Sequence, residues 1–504
     1  PSLESVNGLP STLSYSIVTS LLKNTLGFKG LIITDALEMK GLSTFKSNGN
    51  LDMLAFKAGN DVLLMSANIS EGIKSIINEY DKGQILEEKI GIIGLGYVGL
   101  PLAKTFASNK INVLGFDIDK KKIFNLNRNI SYINYFKNSD IKKMRTNFDA
   151  FCSFEKIQYC DVIILCLPTP LKSGKKPEMK YIVNSMKLIK KFLRKGQILS
   201  LESTTYPGTT EEVILPFLKE FNVGKDFFLV FSPEREDPGN KKFPNYKIPK
   251  VVGGYTKNCL EIGSLIYKLM GTKIIKVSSL KIAEFTKLLE NIYRSVNIGL
   301  VNELKNVCQK MNINIFEVIN AAKTKPFGFQ AFYPGPGYGG HCIPIDPFLL
   351  TWKAKQYGAK TDFIKLSGKI NERMPIIISN KIISYSKAFK KNQKKCLIIG
   401  VAYKKNVDDM RESPALNIIQ VLKKNNVKCE YFDPYIKEIR GLRNFNFSMK
   451  SIKMKYKSLK KYFAIVLVTD HDCFNYDLLL KHSSRIFDCR GRYSHIVSEK
   501  ITQI

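Results

Sequence analysis

Residues 89–117 read KIGIIGLGYVGLPLAKTFASNKINVLGFD, and this stretch decides the fold. It opens on a short apolar strand, Lys89–Ile93, passes through Gly94, Gly96 and Gly99, and continues as a helical pattern to Ala107. A second strand, Val113–Phe116, ends in Asp117. A strand that runs through G-x-G-x-x-G into a helix is the frame that holds a dinucleotide pyrophosphate. The first glycine permits the tight turn, the second lets the backbone approach the phosphates, and the third lets helix and strand pack closely. The helix N-terminus adds unpaired N–H groups and its positive dipole end. Asp117 lies 18 residues beyond Gly99, where a carboxylate takes ribose hydroxyls. Its charge would repel a 2′-phosphate, so the cofactor expected is NAD rather than NADP.

Further strand–helix units follow at Asp161–Leu167, Ile198–Glu202 and Phe228–Phe231. An uninterrupted helical pattern then runs from about Leu280 to Met311. A second alternation begins at Cys396–Gly400, continues through Cys429–Phe432 and ends with Ala464–Thr469. Two α/β domains joined by a long helix are predicted, with no internal sequence repeat. The composition breaks near residue 88: residues 1–88 carry 7 Lys and 10 Asp/Glu, net −3, leaving +37 for the remainder of a chain whose total is +34. That first piece reads as β–α–β–α, from Leu31–Thr34 through Leu51–Ala58 and Val62–Met65 to a helix from Glu71. Four elements are too few to close an α/β core, so it belongs to something larger.

The chain of 504 residues is 44% hydrophobic and 24% charged, enough to bury several cores. No apolar run reaches the length of a membrane span, and no secretory signal pattern is present, so neither membrane nor secretion is expected. The net charge of +34 raises nucleic acid as a partner, but the 66 lysines are scattered and outnumber the 12 arginines. A phosphate-reading face concentrates its charge and favours arginine forks, so nucleic acid is set aside. Ten cysteines without a C-x-x-C pair, together with four histidines, give no metal-ligand spacing. Free thiols in a reducing cytoplasm are expected.

Two constellations carry candidate chemistry. Gly337–Pro347, GYGGHCIPIDP, sets Cys342 among glycines and prolines, with Asp346 four residues on. Pro344 and Pro347 argue against a long regular helix there. A thiol in such a loop is either buried filler or a nucleophile, and Asp346 is placed to orient a water or shuttle a proton. The second is Glu284–Asn302, EFTKLLENIYRSVNIGLVN, where Lys287 and Asn291 share a helix face. Glu290, Arg294 and Asn297 are read as additions to the same polar stripe. A solvated surface and a cleft are both open for it.

The phrases KIGIIGLGYVGLPLA, DVIILCLPTP, ESTTYPGTTEE, FSPEREDPGN, KLLENIYRSVNIGLVNE, PGPGYGGHCIPIDP and GVAYKKNVDDMRESPA occur in order over residues 89–415. Together they resemble the NAD-dependent UDP-sugar 6-dehydrogenases, the family of UDP-glucose and GDP-mannose dehydrogenases. SPEREDPGN and GGHCIPIDPF are most similar to the branch acting on UDP-N-acetyl-D-glucosamine; UDP-glucose and UDP-N-acetylmannosamine are the alternatives. The resemblance implies that a primary alcohol is oxidised to a carboxylate in two steps through a thiohemiacetal and a thioester on Cys342. It implies Lys287 and Asn291 at the oxyanion, Asp346 and Glu234 as acid/base and water-handling carboxylates, and Thr204 positioning the water. NAD contacts are implied at Gly94, Gly96, Tyr97, Val98, Gly99, Asp117, Pro168, Thr169 and Thr204. UDP-sugar contacts are implied at Glu234, Arg235, Lys287, Asn291, Tyr333, Gly339, Lys404 and Arg411. His341 is a candidate for tuning the thiol. Pro238 stands where glucose-specific members carry a second Glu, which points to a differently shaped sugar pocket.

Gly27–Gly41, GFKGLIITDALEMKG, with LAFKAGNDVLLM after it, resembles the late barrel of family 3 glycoside hydrolases, whose nucleophile matches Asp35. The acid/base loop and the earlier strands are missing, so a catalytically dead remnant is expected. The expected fold is therefore α/β: two Rossmann-like doubly wound domains joined by a long central helix, preceded by an incomplete β/α barrel fragment. The boundaries are 1–88, 89–279 for NAD, 280–385 for the central helical domain and 386–504 for the UDP-sugar. A homodimer or larger homo-oligomer paired through the long helix is implied; an inactive fusion or a binding protein is the remote alternative.

Overall fold

The computed structural model describes residues 9–39, 42, 50–66, 68–81, 89–133, 136–235, 247–340, 343–440 and 445–504. Pro238, His341 and Cys342 lie outside the described residues. The chain forms two compact units, Pro1–Lys89 and Ile90–Ile504.

The first unit keeps the β–α–β–α order. A 3-10 turn, Ser11–Leu13, and a π-helical segment, Ser16–Thr25, come first; its α-helices are α1, Asn50–Ala58, and α2, Ile69–Asp81. The two expected strands reduce to one parallel bridge between Ile33 and Val62. Ile32 and Thr34 are buried while Leu31, Ile33, Val62 and Leu64 are exposed, so the pair covers one apolar face and leaves the other open. Asp35 is exposed.

In the second unit an eight-stranded sheet comes first: β1 (Lys89–Ile93), β2 (Asn112–Phe116), β3 (Phe148–Phe151), β4 (Val162–Leu165), β5 (Ile198–Leu201), β6 (Phe228–Phe231), β7 (Lys250–Gly254) and β8 (Ile274–Val277). Their order is β3-β2-β1-β4-β5-β6-β7-β8. The pairs β2–β3, β1–β4, β4–β5, β5–β6 and β7–β8 are parallel, while β6 and β7 are antiparallel, so the chain direction reverses there. The strands read as continuous apolar runs because both faces are covered. On β4, Val162 and Ile164 join one core with Leu100, Ala103 and Phe106 of α3 (Gly99–Ser108). Ile163 and Leu165 join the other. Each such side chain contributes roughly 1.5–3 kcal/mol when fully buried.

The short helices α4 (Lys120–Asn127) and α5 (Asn138–Met144) precede β3; α6 (Lys180–Ile189) and α7 (Lys257–Lys268) come later. Then follows α8, Leu280–Lys310, opened by Ser279, whose side chain accepts from the Ile282 N–H. After α9 (Ile315–Ala322) and α10 (Asp346–Gln356), α11 (Asp362–Ser386) packs back along α8. Asn371 of α11 donates to the Ser295 carbonyl at 3.0 Å and accepts from Asn302 at 2.9 Å.

A second, wholly parallel sheet uses β9 (Lys395–Ile399), β10 (Lys428–Phe432), β13 (Ala464–Leu467), β14 (Ile486–Asp488) and β15 (Ile501–Gln503), in the order β10-β9-β13-β14-β15. The strands β11 (Glu438–Ile439) and β12 (Met449–Lys450) form a small pair, and α12 (Pro414–Lys424) and α13 (Tyr476–His482) cover opposite faces.

The two sheets share one turn. Gly94 after β1 and Gly400 after β9 both have positive φ, +94° and +78°. Their N–H groups donate to Phe116 and Phe432, the last residues of β2 and β10. The next residue of each chain, Asp117 and Asp433, accepts the N–H following the glycine: Leu95 at 3.0 Å and Val401 at 2.7 Å. No repeat is visible in the sequence because the two copies agree only at these few positions.

Candidate active site

The strand order of the first sheet reverses between β1 and β4, which opens a crevice at their carboxyl ends. The three glycines there divide their work as expected. A Cβ on Gly94 would strike the Cys166 carbonyl, and one on Gly99 would strike the Gly94 carbonyl. One on Gly96 would meet nothing within 4 Å, which leaves its backbone open to a ligand. Across the crevice, Thr169 donates to the Thr204 carbonyl at 2.6 Å and the Leu167 N–H donates to Ser203 at 2.8 Å. Pro168 is exposed beside them. Asp117 also holds the Lys122 ammonium at 2.9 Å. These residues fit an NAD pyrophosphate and ribose: an open glycine backbone, a helix N-terminus and a strand-end carboxylate.

The candidate catalytic residues Lys287 and Asn291 lie on α8. Its buried face carries Glu284, Lys287, Asn291, Ser295, Gly299, Asn302 and Lys305, repeating every three or four residues. The expected stripe of Lys287 and Asn291 is therefore buried, which excludes a solvated surface. Glu290, Arg294 and Asn297 do not share it. They fall on the flank of the helix, where Arg294 is exposed and Asn297 donates to the Tyr293 carbonyl of its own helix.

Asn291 donates to Oδ2 of Asp346 at 2.5 Å. Burial pushes the Asp346 carboxyl up to about 7, against the pull of the Lys287 ammonium and the Asn291 hydrogen bond. Asp346 opens α10, and Pro347 sits in the first turn, where its missing N–H costs nothing. The proline starts a helix rather than preventing one.

The loop before Cys342 is wedged against the second sheet. A Cβ on Gly340, at φ +87°, would lie 2.8 Å from the Tyr403 ring. One on Gly339 would lie 2.8 Å from Tyr403 and 2.9 Å from the Glu412 carbonyl. The Gly340 N–H donates to the Arg411 carbonyl at 3.0 Å. Arg411 itself grips Asp409 through Nε and Nη2, and its guanidinium lies over the ring of Tyr97, in the glycine turn. Burial, with Asp408 and Asp409 nearby, pushes the Tyr97 hydroxyl up to about 12. Val98, half-buried, is the N-cap of α3. Lys404 is half-buried in the loop after β9. That loop is tied down by Asn406, whose N–H donates to Nδ1 of His471; Nε2 of His471 in turn faces Asp433 at 3.1 Å.

Glu234 and Arg235 follow β6. Arg235 donates to the Pro249 carbonyl at 2.6 Å and pairs with Glu290 at 2.7 Å. Tyr333 packs on α9: its hydroxyl donates to Asn320 and its ring stacks on Phe316. The structure thus gathers Lys287, Asn291 and Asp346 in one cluster and Gly94, Gly96, Tyr97, Gly99 and Arg411 in another. Glu202 and Lys250, buried as an ion pair at 2.7 Å, were not singled out in the sequence, where Glu202 reads as the end of a strand and Lys250 as one lysine among many. Among the described residues no group of His, Cys, Asp and Glu could hold a metal, and no helix is long and apolar enough to cross a membrane.

Comparison with known proteins agrees with this geometry. Residues 88–271 match the NAD-binding domain of the UDP-glucose/GDP-mannose dehydrogenase family, 281–373 its central domain and 397–495 its UDP-binding domain. Residues 1–92 match the glycosyl hydrolase family 3 N-terminal domain. The chain is 35% identical over 357 residues to a UDP-N-acetyl-D-glucosamine 6-dehydrogenase of Pseudomonas aeruginosa, covering 69% of this chain and 83% of that one. It is 33% identical to the protein CapL of Staphylococcus aureus, covering 81% and 96%. Among solved structures, the UDP-D-ManNAc dehydrogenase of Pyrococcus horikoshii superposes with a TM-score of 0.73 at 28% identity, covering 82% of this chain and 97% of that one. From residue 88 onward the chain belongs to the UDP-glucose/GDP-mannose dehydrogenase family, and it is an NAD-dependent UDP-sugar dehydrogenase.

Proposed function

We propose that the substrate is UDP-N-acetyl-D-glucosamine, oxidised at its 6-hydroxymethyl to the carboxylate. The observation that carries the chemistry is the Asn291–Asp346 contact, which joins the long helix, with Lys287 beside it, to the segment just after Cys342. Overall, one alcohol, two NAD⁺ and one water give one carboxylate, two NADH and three protons. NAD, when bound, accepts a hydride in each of the two oxidations. The Cys342 thiol adds to the aldehyde as a thiohemiacetal, which becomes a thioester, and water then cleaves the thioester to release the acid. Lys287 and Asn291 stabilise the developing oxyanion. Asp346, poised near neutrality, takes and returns the proton. Glu234 and Thr204 handle the hydrolytic water. Lys404 and Arg411 meet the diphosphate, Arg235, Tyr333 and Gly339 frame the sugar-nucleotide pocket, and Pro168, Thr169, Tyr97 and Val98 line the cofactor crevice.

The relative from Pseudomonas aeruginosa supports the N-acetylglucosamine assignment; the Pyrococcus horikoshii structure supports UDP-N-acetylmannosamine as the second reading. We keep the domain plan of 1–88, 89–279, 280–385 and 386–504, with the first piece a catalytically inert remnant. We place the enzyme in the cytoplasm, where NAD and nucleotide sugars are made, supplying polysaccharide precursors. We also propose a homodimer built on α8. Opposite its buried face, Ile282, Phe285, Leu289, Tyr293, Leu300 and Leu304 form an exposed apolar stripe that continues to Met311, about 44 Å at 1.5 Å per residue.

The test is NADH formation at 340 nm with limiting UDP-N-acetylglucosamine, UDP-N-acetylmannosamine or UDP-glucose. Two NADH per sugar, with the first substrate preferred, is the expected result. Preference for another sugar corrects the substrate, and Cys342→Ser releasing acid at the parent rate would overturn the covalent route.

A further inference from the structure

Glu234 does not stand alone at the edge of the first sheet. Lys250 begins β7, and because β7 runs antiparallel to β6, its first residue lies at the same edge as the ends of β5 and β6. Its ammonium is 2.7 Å from Oε2 of Glu202, the residue after β5, and 3.9 Å from Oε2 of Glu234, three residues after β6. The Lys250 and Glu202 side chains are buried, 6% and 0% exposed, while Glu234 reaches the rim at 15%. The ammonium also lies 5.2 Å from the centre of the Tyr267 ring, whose hydroxyl pairs with Ser200 at 2.8 Å. The remaining titratable group close to it is Cys166. On its far side the same loop is fixed by Arg235, which pairs with Glu290 of α8, the residue before Asn291.

A buried lysine–carboxylate pair gains little stability over apolar side chains of the same size, so stability alone does not account for it here. Its effect is to set a fixed positive charge between two loops. One carries Thr204, two residues after Glu202; the other carries Glu234. Burial works against the Lys250 ammonium, yet Glu202, with Glu234 behind it, more than reverses this and raises its pKa above the usual lysine value. The lysine is therefore cationic throughout the working pH range, and the carboxylate at the rim keeps a counter-charge that solvent cannot remove.

We propose that Lys250 is a positioning residue for thioester hydrolysis: anchored by Glu202, its ammonium holds the Glu234 side chain in place at the sheet edge. The inference rests on the reading of Glu234 as the water-handling carboxylate. Glu202 anchors the lysine, and neither residue touches the reacting atoms.

Stopped-flow NADH formation on the full chain, with saturating NAD and UDP-N-acetylglucosamine, tests it. Lys250→Met alone leaves Glu202 unpaired in the core and risks unfolding, so the paired Lys250→Met/Glu202→Gln variant removes both charges at once, and Lys250→Arg is the conservative control. The paired variant should keep a burst of two NADH per active site and an unchanged KM for NAD. Its steady rate should fall by about tenfold or more, the scale of a lost general base, with Lys250→Arg recovering much of it. A steady rate within twofold of the parent would overturn the proposal, as would burst and steady rate falling together, which marks a purely structural role. If the parent itself forms no NADH with any of the three UDP-sugars, it is the underlying reading that fails, and the inference falls with it.

Discussion

The Arg411 guanidinium lies 4.7 Å from the centre of the Tyr97 ring, so a loop of the second sheet covers the glycine turn of the first. Cofactor crevice and nucleotide-sugar domain therefore share a side chain. A cation over an aromatic ring is worth about 0.5–2 kcal/mol, and the fork on Asp409 holds it there. Lysine reproduces the charge but neither the fork nor the stack. Arg411→Lys should raise KM for NAD and for the UDP-sugar together, each by about two- to thirtyfold by the same arithmetic. A rise confined to one substrate in steady-state kinetics would show that the contact does not couple them.

Asp346 predicts opposite effects on stability and on turnover. Its folded pKa, about 7, is above the ordinary carboxylate value, so protonation favours the folded state. Stability from this group is full below the unfolded pKa and is lost as pH rises through about 7. Asp346→Asn removes the charge and should be more stable than the parent at pH 8, by a few kcal/mol at most, and so melt higher, with the gap narrowing toward pH 5. Turnover should drop about a hundredfold or more. Equal melting temperatures at pH 8 would show that the carboxylate is not buried as described.

Asp117 is expected to set cofactor choice. It follows β2, accepts from the Leu95 N–H of the glycine turn and pairs with Lys122 at 2.9 Å. Asp117→Ser removes the repulsion toward a 2′-phosphate and frees a lysine to meet it. KM for NAD should rise about tenfold, and NADP, ineffective with the parent, should become usable. Unchanged discrimination between the two would move the choice elsewhere.

The apolar stripe on α8 predicts the oligomeric state. The parent should elute as a dimer or larger in light scattering, and Leu300→Asp combined with Leu304→Asp should give a monomer. A monomeric parent at micromolar concentration would remove the pairing.

Deleting residues 1–88 should leave kcat within about twofold, since the catalytic unit begins at β1 and carries its own cores. A large loss of turnover would mean that the first unit contributes to the enzyme.

What the sequence disclosed follows from how local each signal is. The dinucleotide turn was legible because strand, glycines, helix and Asp117 fall within one stretch, 89–117. The strands β3, β7 and β8 were not. Each has only four or five residues, and β7, KVVGG, ends in two glycines, so pairing rather than propensity makes them strands. The same applies to the site. Lys287 and Asn291 share a helix face and were readable, but the reversal at β6–β7 that brings Lys250 beside Glu202, 48 residues away, has no local trace.

The turn made twice, Gly94 with Asp117 and Gly400 with Asp433, bears on how such an enzyme diverges. Each copy, a candidate grip on a nucleotide, closes its turn within its own sheet, and Arg411 over Tyr97 links the two. On the proposed reading the oxidation takes place in neither; it belongs to the seam supplied by α8 and the glycine loop before Cys342. Drift in the seam alters which sugar reacts while both grips stay as they are, so a lineage can acquire new substrates without relearning how to hold either nucleotide.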